Sequence, residues 1–150
     1  LARQGRFFYL VGGDPGLVAQ TLAGSDVQLA MLEAWREGAA LAGSSAGAMA
    51  LGQWTPLRER WPGSDRRRLA PALGVLPGVV VVPHYQASGQ RWQIELPPDA
   101  VLLGLDERTA ALWDGREWRA SGPGRVSLVA GVERRVFAGG ETIAGLPRPV

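Results

Sequence analysis

The stretch Gly43-Ser44-Ser45-Ala46-Gly47-Ala48 constrains this chain more than any other. It joins an apolar run, Ala39-Ala40-Leu41-Ala42, to a run of small residues that suits a helix. A serine at such a junction is pushed out beyond the sheet edge, and its hydroxyl stays within reach of a ligand. The small neighbours let the backbone turn sharply and let a substrate carbonyl come close. The spacing is that of the G-x-S-x-G elbow, with Ser45 at its tip. It points to acyl transfer. The rest of the chain must then supply a base, an acid to orient it, and donors for an oxyanion.

Composition limits which partners Ser45 can have. There is no cysteine and no lysine, all 16 basic residues are arginine, and the single histidine is His84. Disulfides, thiolate nucleophiles and lysine Schiff bases are excluded, and so is a zinc site with several histidines. No metal and no cofactor is expected. The net charge of +2 gives no reason to expect nucleic acid as a partner. No apolar run approaches the ~20 residues that span a membrane. Residues 1–5 lack the pattern of a signal peptide, so a cytoplasmic location with no membrane partner is expected. A length of 150 residues fits one domain, 1–150, with a substantial core.

The hydrophobic pattern predicts an α/β fold. Residues 7–11, Phe-Phe-Tyr-Leu-Val, read as a buried strand that ends in the turn Gly12-Gly13-Asp14-Pro15. Asp14 suits a helix N-cap and Pro15 a first helical turn. A second helix is expected over 27–37, stopped by Gly38. Residues 39–42 read as a central strand of a parallel sheet. Residues 53–69, which include Arg58, Arg60, Trp61 and Arg66-Arg67-Arg68, read as a long polar loop or lid. Strands are expected over 79–82 and 101–105, and hairpin strands over 110–113 and 125–129. Residues 138–150, rich in Gly and Pro, read as peripheral. The order β-α-α-β-α-β implies a mainly parallel sheet flanked by helices, with a C-terminal β-hairpin region. Ligands of such sheets sit beyond the carboxyl ends of the strands. Gly12-Gly13, Ser45, His84 and Glu107 all fall at such ends.

His84 is the only side chain with an ordinary pKa near neutrality, so it is the natural base for Ser45. Glu107 is the expected orienting acid, with Asp106 directed to the opposite face. The amides of Ala46 and Gly13 are the expected oxyanion donors. Each feature also has a plainer reading. The glycine-serine turn could serve helix packing or bind an anion. A lone histidine after proline is commonly an ordinary strand-end residue. Glu107 could pair with Arg108, and the arginine run could be a solvated face.

Four blocks occur together in order: Gly12-Gly13-Asp14, Gly43-Ser44-Ser45-Ala46-Gly47-Ala48, Pro83-His84-Tyr85 and Gly104-Leu105-Asp106-Glu107-Arg108-Thr109-Ala110. Over about residues 5–130 the chain resembles the S51 serine peptidases. These are the aspartyl dipeptidase (peptidase E) and cyanophycinase group, with a class I glutamine amidotransferase-like fold. The resemblance implies a Ser45-His84-Glu107 triad with an oxyanion hole at Gly13 and Ala46. It also implies a small peptide substrate, with an acidic N-terminal residue as one candidate; Gly12, Asp14 and Arg91 are the expected substrate-binding residues, and Arg91 or the arginines of 58–68 could hold a carboxylate. Relatives carry additional βα units before the Gly-Gly-Asp turn. The expectation is therefore a domain shortened at its N-terminus, with a sheet edge covered by a missing segment or by a second copy. The stretch Gln86-Ala87-Ser88-Gly89-Gln90-Arg91 departs from the arginine-containing pattern of cyanophycinases, with Ser88 in place of one arginine and Arg91 displaced. The rival readings are a non-catalytic ligand-binding or regulatory domain on the same scaffold, an esterase or acyl transferase using the same site, and an anion-binding module that would not require Ser45.

Overall fold

A computed structural model describes residues 2–59 and 65–150. After a short 3-10 turn, β1 (Phe7–Leu10) leads into α1 (Pro15–Leu22), and α2 (Asp26–Arg36) follows. The caps follow from local chemistry: Asp14 accepts the Leu17 amide and Ser25 accepts the Gln28 amide, which satisfies donors that a helix start leaves open. β2 (Ala40–Gly43) ends at the serine turn, and α3 (Ala46–Leu51) begins directly after it. Then come β3 (Gly52–Arg58), β4 (Arg66–Pro71), β5 (Leu76–Val82), β6 (Gln93–Ile94), β7 (Val101–Leu105), β8 (Ala110–Trp113), β9 (Trp118–Ser121), β10 (Arg125–Ala130) and β11 (Glu133–Ala138).

Seven strands form one sheet in the order β11-β10-β7-β5-β3-β4-β6, while β1-β2 and β8-β9 form two-stranded sheets. The fold is α/β, but the sheet is mixed and not mainly parallel. Among the described residues, β1–β2, β3–β5, β4–β6 and β5–β7 pair in parallel, and β10–β11, β7–β10, β3–β4 and β8–β9 pair antiparallel. The core is densest along Val79–Val82, whose side chains are at most 2% exposed. Each such side chain contributes about 1.5–3 kcal/mol by leaving water. No helix among the described residues is long and apolar enough to cross a membrane.

Five expectations are corrected. Residues 53–58 and 66–69 do not belong to a loop: they lie in β3 and β4, which pair antiparallel, and Thr55 and Pro56 are fully buried. The part of the expected loop or lid that includes Arg60 and Trp61 lies outside the described residues. The arginines misled because an Arg stem covers apolar surface while its head stays polar, and Arg67, only 8% exposed, lies 4.5 Å over the Trp92 ring. β2 is not a central strand. Among the described residues it pairs only with β1, and none of its four residues is fully buried. β1 is likewise half-exposed, because alternate side chains of a strand face opposite sides and Phe7 and Tyr9 stack on the open one. The C-terminal stretch is not peripheral: Ile143 and Leu146 enter the main core, and the Trp118 indole N–H donates to the Pro147 carbonyl. In the hairpin region, β8 pairs with β9, a strand not expected from the sequence, and β10 pairs with β7 and β11.

Small residues are needed where α3 crosses β1 and β2. A Cβ on Gly47 would lie 1.9 Å from the Leu10 carbonyl oxygen, and one on Gly43 would lie 2.7 Å from the Gly47 backbone. Neither neighbour is a flexible side-chain end, so neither can move away cheaply. The Gly47→Ala substitution should therefore destabilise the fold by about 1–3 kcal/mol or more, read as a lowered thermal or denaturant midpoint. An unchanged midpoint would mean that α3 does not sit this close to β1.

Candidate active site

Ser45 occupies a strained backbone position between β2 and α3, with φ 48° and ψ −118°. Positive φ is costly for a residue with a Cβ and persists only where the surroundings enforce it. Here the Ser44 amide donates to Leu10 and the Met49 amide to Ser45, so the turn is held from both sides. Ser45 stands at the N-cap of α3 but makes no side-chain capping bond. Its hydroxyl instead faces the ring of His84.

His84 follows β5 and is also in the left-handed region, at φ 52°. The Ser45 Oγ lies 3.2 Å from His84 Nε2, and His84 Nδ1 lies 2.5 Å from Glu107 Oε1. With a carboxylate at Nδ1, the neutral ring keeps its proton on that nitrogen and presents the Nε2 lone pair to the hydroxyl. The arrangement can accept a proton from Ser45 and stabilise the imidazolium that results. Glu107, which follows β7, is not the buried carboxylate expected of such an acid: its side chain is 62% exposed and that of His84 42%. β2, β5 and β7 deliver the three residues from separate strand ends, as expected from the sheet architecture.

Two clefts meet at Ser45. One, of about 630 Å³, is walled by Tyr9, His84, Glu107, Thr109 and Ser121. The other, of about 460 Å³, is walled by Gly13, Asp14, Ala46, Arg58, Arg68 and Trp92, with Arg67 also on its wall. Burial, and next the nearby Arg58, hold the Arg67 guanidinium below its ordinary pKa. The Ala46 amide begins α3 and has no intrahelical acceptor, as the geometry of a helix start requires. Gly13 has φ 144°, which a residue with a Cβ rarely adopts, and nothing within 4 Å would meet an added Cβ. Gly12 is also near the serine, its Cβ position 3.5 Å from the Ser45 Cβ.

The structure thus brings Gly12, Gly13, Asp14, Ser45, Ala46, His84 and Glu107 together. Arg91 is not among them: its exposed guanidinium donates to the Ala87 carbonyl at 3.1 Å, and it lines neither cleft. Arg67, within the arginine run of 58–68, and Trp92 line the second cleft, although neither was singled out from the sequence as a site residue. The alternation of Arg67 with the exposed Arg66 and Arg68 was the available sign, since it is the period of a half-buried strand.

The model of peptidase family S51 matches residues 3–120, a span that holds all four sequence blocks. A solved structure of a peptidase from an acI-B1 Actinobacterium has the same fold, with a TM-score of 0.79 at 28% identity. That similarity covers 95% of this chain and 60% of the other, so the chain spans about three fifths of that peptidase's length. No curated protein matches it in sequence. A family match over most of the length, with the serine turn, histidine and glutamate all inside it, assigns this chain to peptidase family S51.

Proposed function

We propose that the protein is a serine peptidase that cleaves small peptides through Ser45, His84 and Glu107. The observation that carries this reading is the pair of contacts, Ser45 to His84 at 3.2 Å and His84 to Glu107 at 2.5 Å, at the mouth of two clefts. Ser45 Oγ attacks the scissile carbonyl carbon while its proton passes to His84 Nε2. The amides of Gly13 and Ala46 receive the developing oxyanion. The C–N bond breaks as His84 protonates the leaving amine, which leaves an acyl-enzyme. Water then attacks this ester, giving its proton to His84, and the acid product departs with Ser45 restored. Glu107 keeps the Nδ1 proton in place and balances the imidazolium. No metal or cofactor enters these steps.

The second cleft supports one substrate class. Arg58, Arg67 and Arg68 make its wall strongly positive, which supports a peptide with an acidic residue on its acyl side, as in a dipeptide with an N-terminal Asp or Glu. Asp14 stands at the same wall and suits the peptide's α-ammonium group. The leaving amine then lies toward His84 in the first cleft. In this reading the chain is one S51-like domain of class I glutamine amidotransferase-like architecture, acting in the cytoplasm. The open face of β1, where Phe7 is 64% exposed, is where an additional segment or a second copy would pack. Light scattering tests the second copy. A mass of two chains that falls to one on Phe7→Ser supports it, and a single-chain mass for the unaltered protein rejects it.

A fluorophosphonate probe should label Ser45, and Ser45→Ala should abolish both labelling and peptide turnover. Glu107→Gln should lower kcat by about 10²- to 10⁴-fold in protein that remains folded. Undiminished turnover in Glu107→Gln would remove that residue from the mechanism, and a folded protein that resists the probe would favour a non-catalytic binding domain. Cleavage of esters without any peptide turnover would instead favour an esterase. In a dipeptide panel, Arg58→Gln combined with Arg68→Gln should lower kcat/KM for Asp-X about 10- to 100-fold relative to Ala-X. An unchanged ratio would reject acidic recognition by this cleft.

A further inference from the structure

We propose that Asp106 is a positioning residue that holds His84 and Glu107 in mutual register, an inference that rests on the reading of Ser45, His84 and Glu107 as the reacting groups. Asp106 immediately follows β7 and precedes Glu107. Its carboxylate accepts two backbone amides from different parts of the chain: Gln86 N–H donates to Oδ1 at 3.0 Å and Arg125 N–H to Oδ2 at 2.9 Å. The first tie reaches the segment that carries His84, and the second reaches the start of β10.

The placement of these bonds matters. The parallel pairing of β5 with β7 ends at Val82 opposite Gly104. Two hydrogen bonds extend the join past that point: Tyr85 N–H to the Leu105 carbonyl at 2.9 Å, and Gln86 N–H to the Asp106 carboxylate. The two amides that follow His84 are therefore both held by the end of β7. His84 needs that hold, because its left-handed backbone is unfavourable for a residue with a Cβ. The carbonyl of His84 is tied as well, accepting the amides of Ser88 and Gly89.

On the other side, Glu107 is braced against the same β10 turn. The Thr109 hydroxyl donates to the Glu107 carbonyl and accepts the Gly124 amide, while the Asp106 amide donates to the Arg125 carbonyl. A Cβ on Gly124 would lie 2.7 Å from the Asp106 Cβ, so the turn is packed directly on this residue. Asp106 is thus bonded both to the His84 segment and to the turn that braces Glu107. Asp106 borders the first cleft, but both of its oxygens are engaged by the backbone, so it acts through its neighbours. Two amide donors need two acceptor oxygens. An asparagine would offer one acceptor and turn an NH₂ toward the second amide.

His84 is the only histidine, so its ring gives an isolated signal in proton–nitrogen NMR. In the unaltered chain, a low-field proton on Nδ1 is expected from the bond to Glu107. Asp106→Asn should shift or broaden that proton and lower kcat per folded molecule about 10-fold with KM nearly unchanged. Asp106→Ala should remove the signal and lower kcat about 100-fold, in line with the cost of a small misplacement. If Asp106→Ala does not fold, Asp106→Asn carries the test. Full kcat with an unshifted imidazole proton in the variants overturns the proposal and leaves the triad reading standing. So does a loss of activity that only tracks the folded fraction. If the unaltered protein lacks the low-field proton and resists the fluorophosphonate probe, the triad reading itself fails and this proposal goes with it.

Discussion

The site depends on a close approach of α3 to the carbonyl end of β1. Gly47 lies so near Leu10 that no side chain fits between them, and a Cβ on Gly43 would also crowd the Gly47 backbone. This crossing forces the chain to reverse over two residues. Ser45 takes up that reversal with a positive φ and projects its hydroxyl away from the core. A looser crossing would relax the turn, let the hydroxyl cap the helix, and take it away from His84. Strain at one residue is therefore balanced by packing spread over two strands and a helix.

His84 reaches the same point by a similar device, and Arg108, the residue after Glu107, shares it. His84 and Arg108 also have positive φ, and both lie just beyond strands of the large sheet. The strands supply a rigid frame, with Val79–Val82 at its most buried part. The residues that follow them leave the ladder and are held by individual hydrogen bonds from neighbouring turns. Such an arrangement suits a reacting group. The frame holds the backbone in place, while the side chain itself stays open to solvent.

Several elements were legible because their cause is local. Asp14 and Pro15 start α1 by cap chemistry, and the valine run of β5 can only be a buried strand. Others were not, because their cause is distant. Arg67 looks solvated in any window of the sequence and becomes buried only because Trp92, far along the chain, provides a face for it. Ile143 and Leu146 are isolated among glycines and prolines, yet they join the core cluster of Trp118, Ala120, Val126 and Leu128. Phe7 and Tyr9 look like core residues and are exposed, because among the described residues no layer covers that face of β1.

The sequence by itself determined the chemical vocabulary of the site. With one histidine and no cysteine or lysine, Ser45 had a single candidate base, and the glycines at 43 and 47 announced a turn too tight for larger residues. Both follow from residue type and short spacing, which need no fold to be read. Tertiary structure alone decided the rest: that Glu107 stands exposed beside the ring, that three arginines wall the second cleft while Arg91 lies outside it, and that Asp106 ties the histidine segment to β10. Each of these depends on which strand lies beside which. That order comes from long-range burial and backbone pairing over the whole chain, and short stretches of sequence carry almost no trace of it.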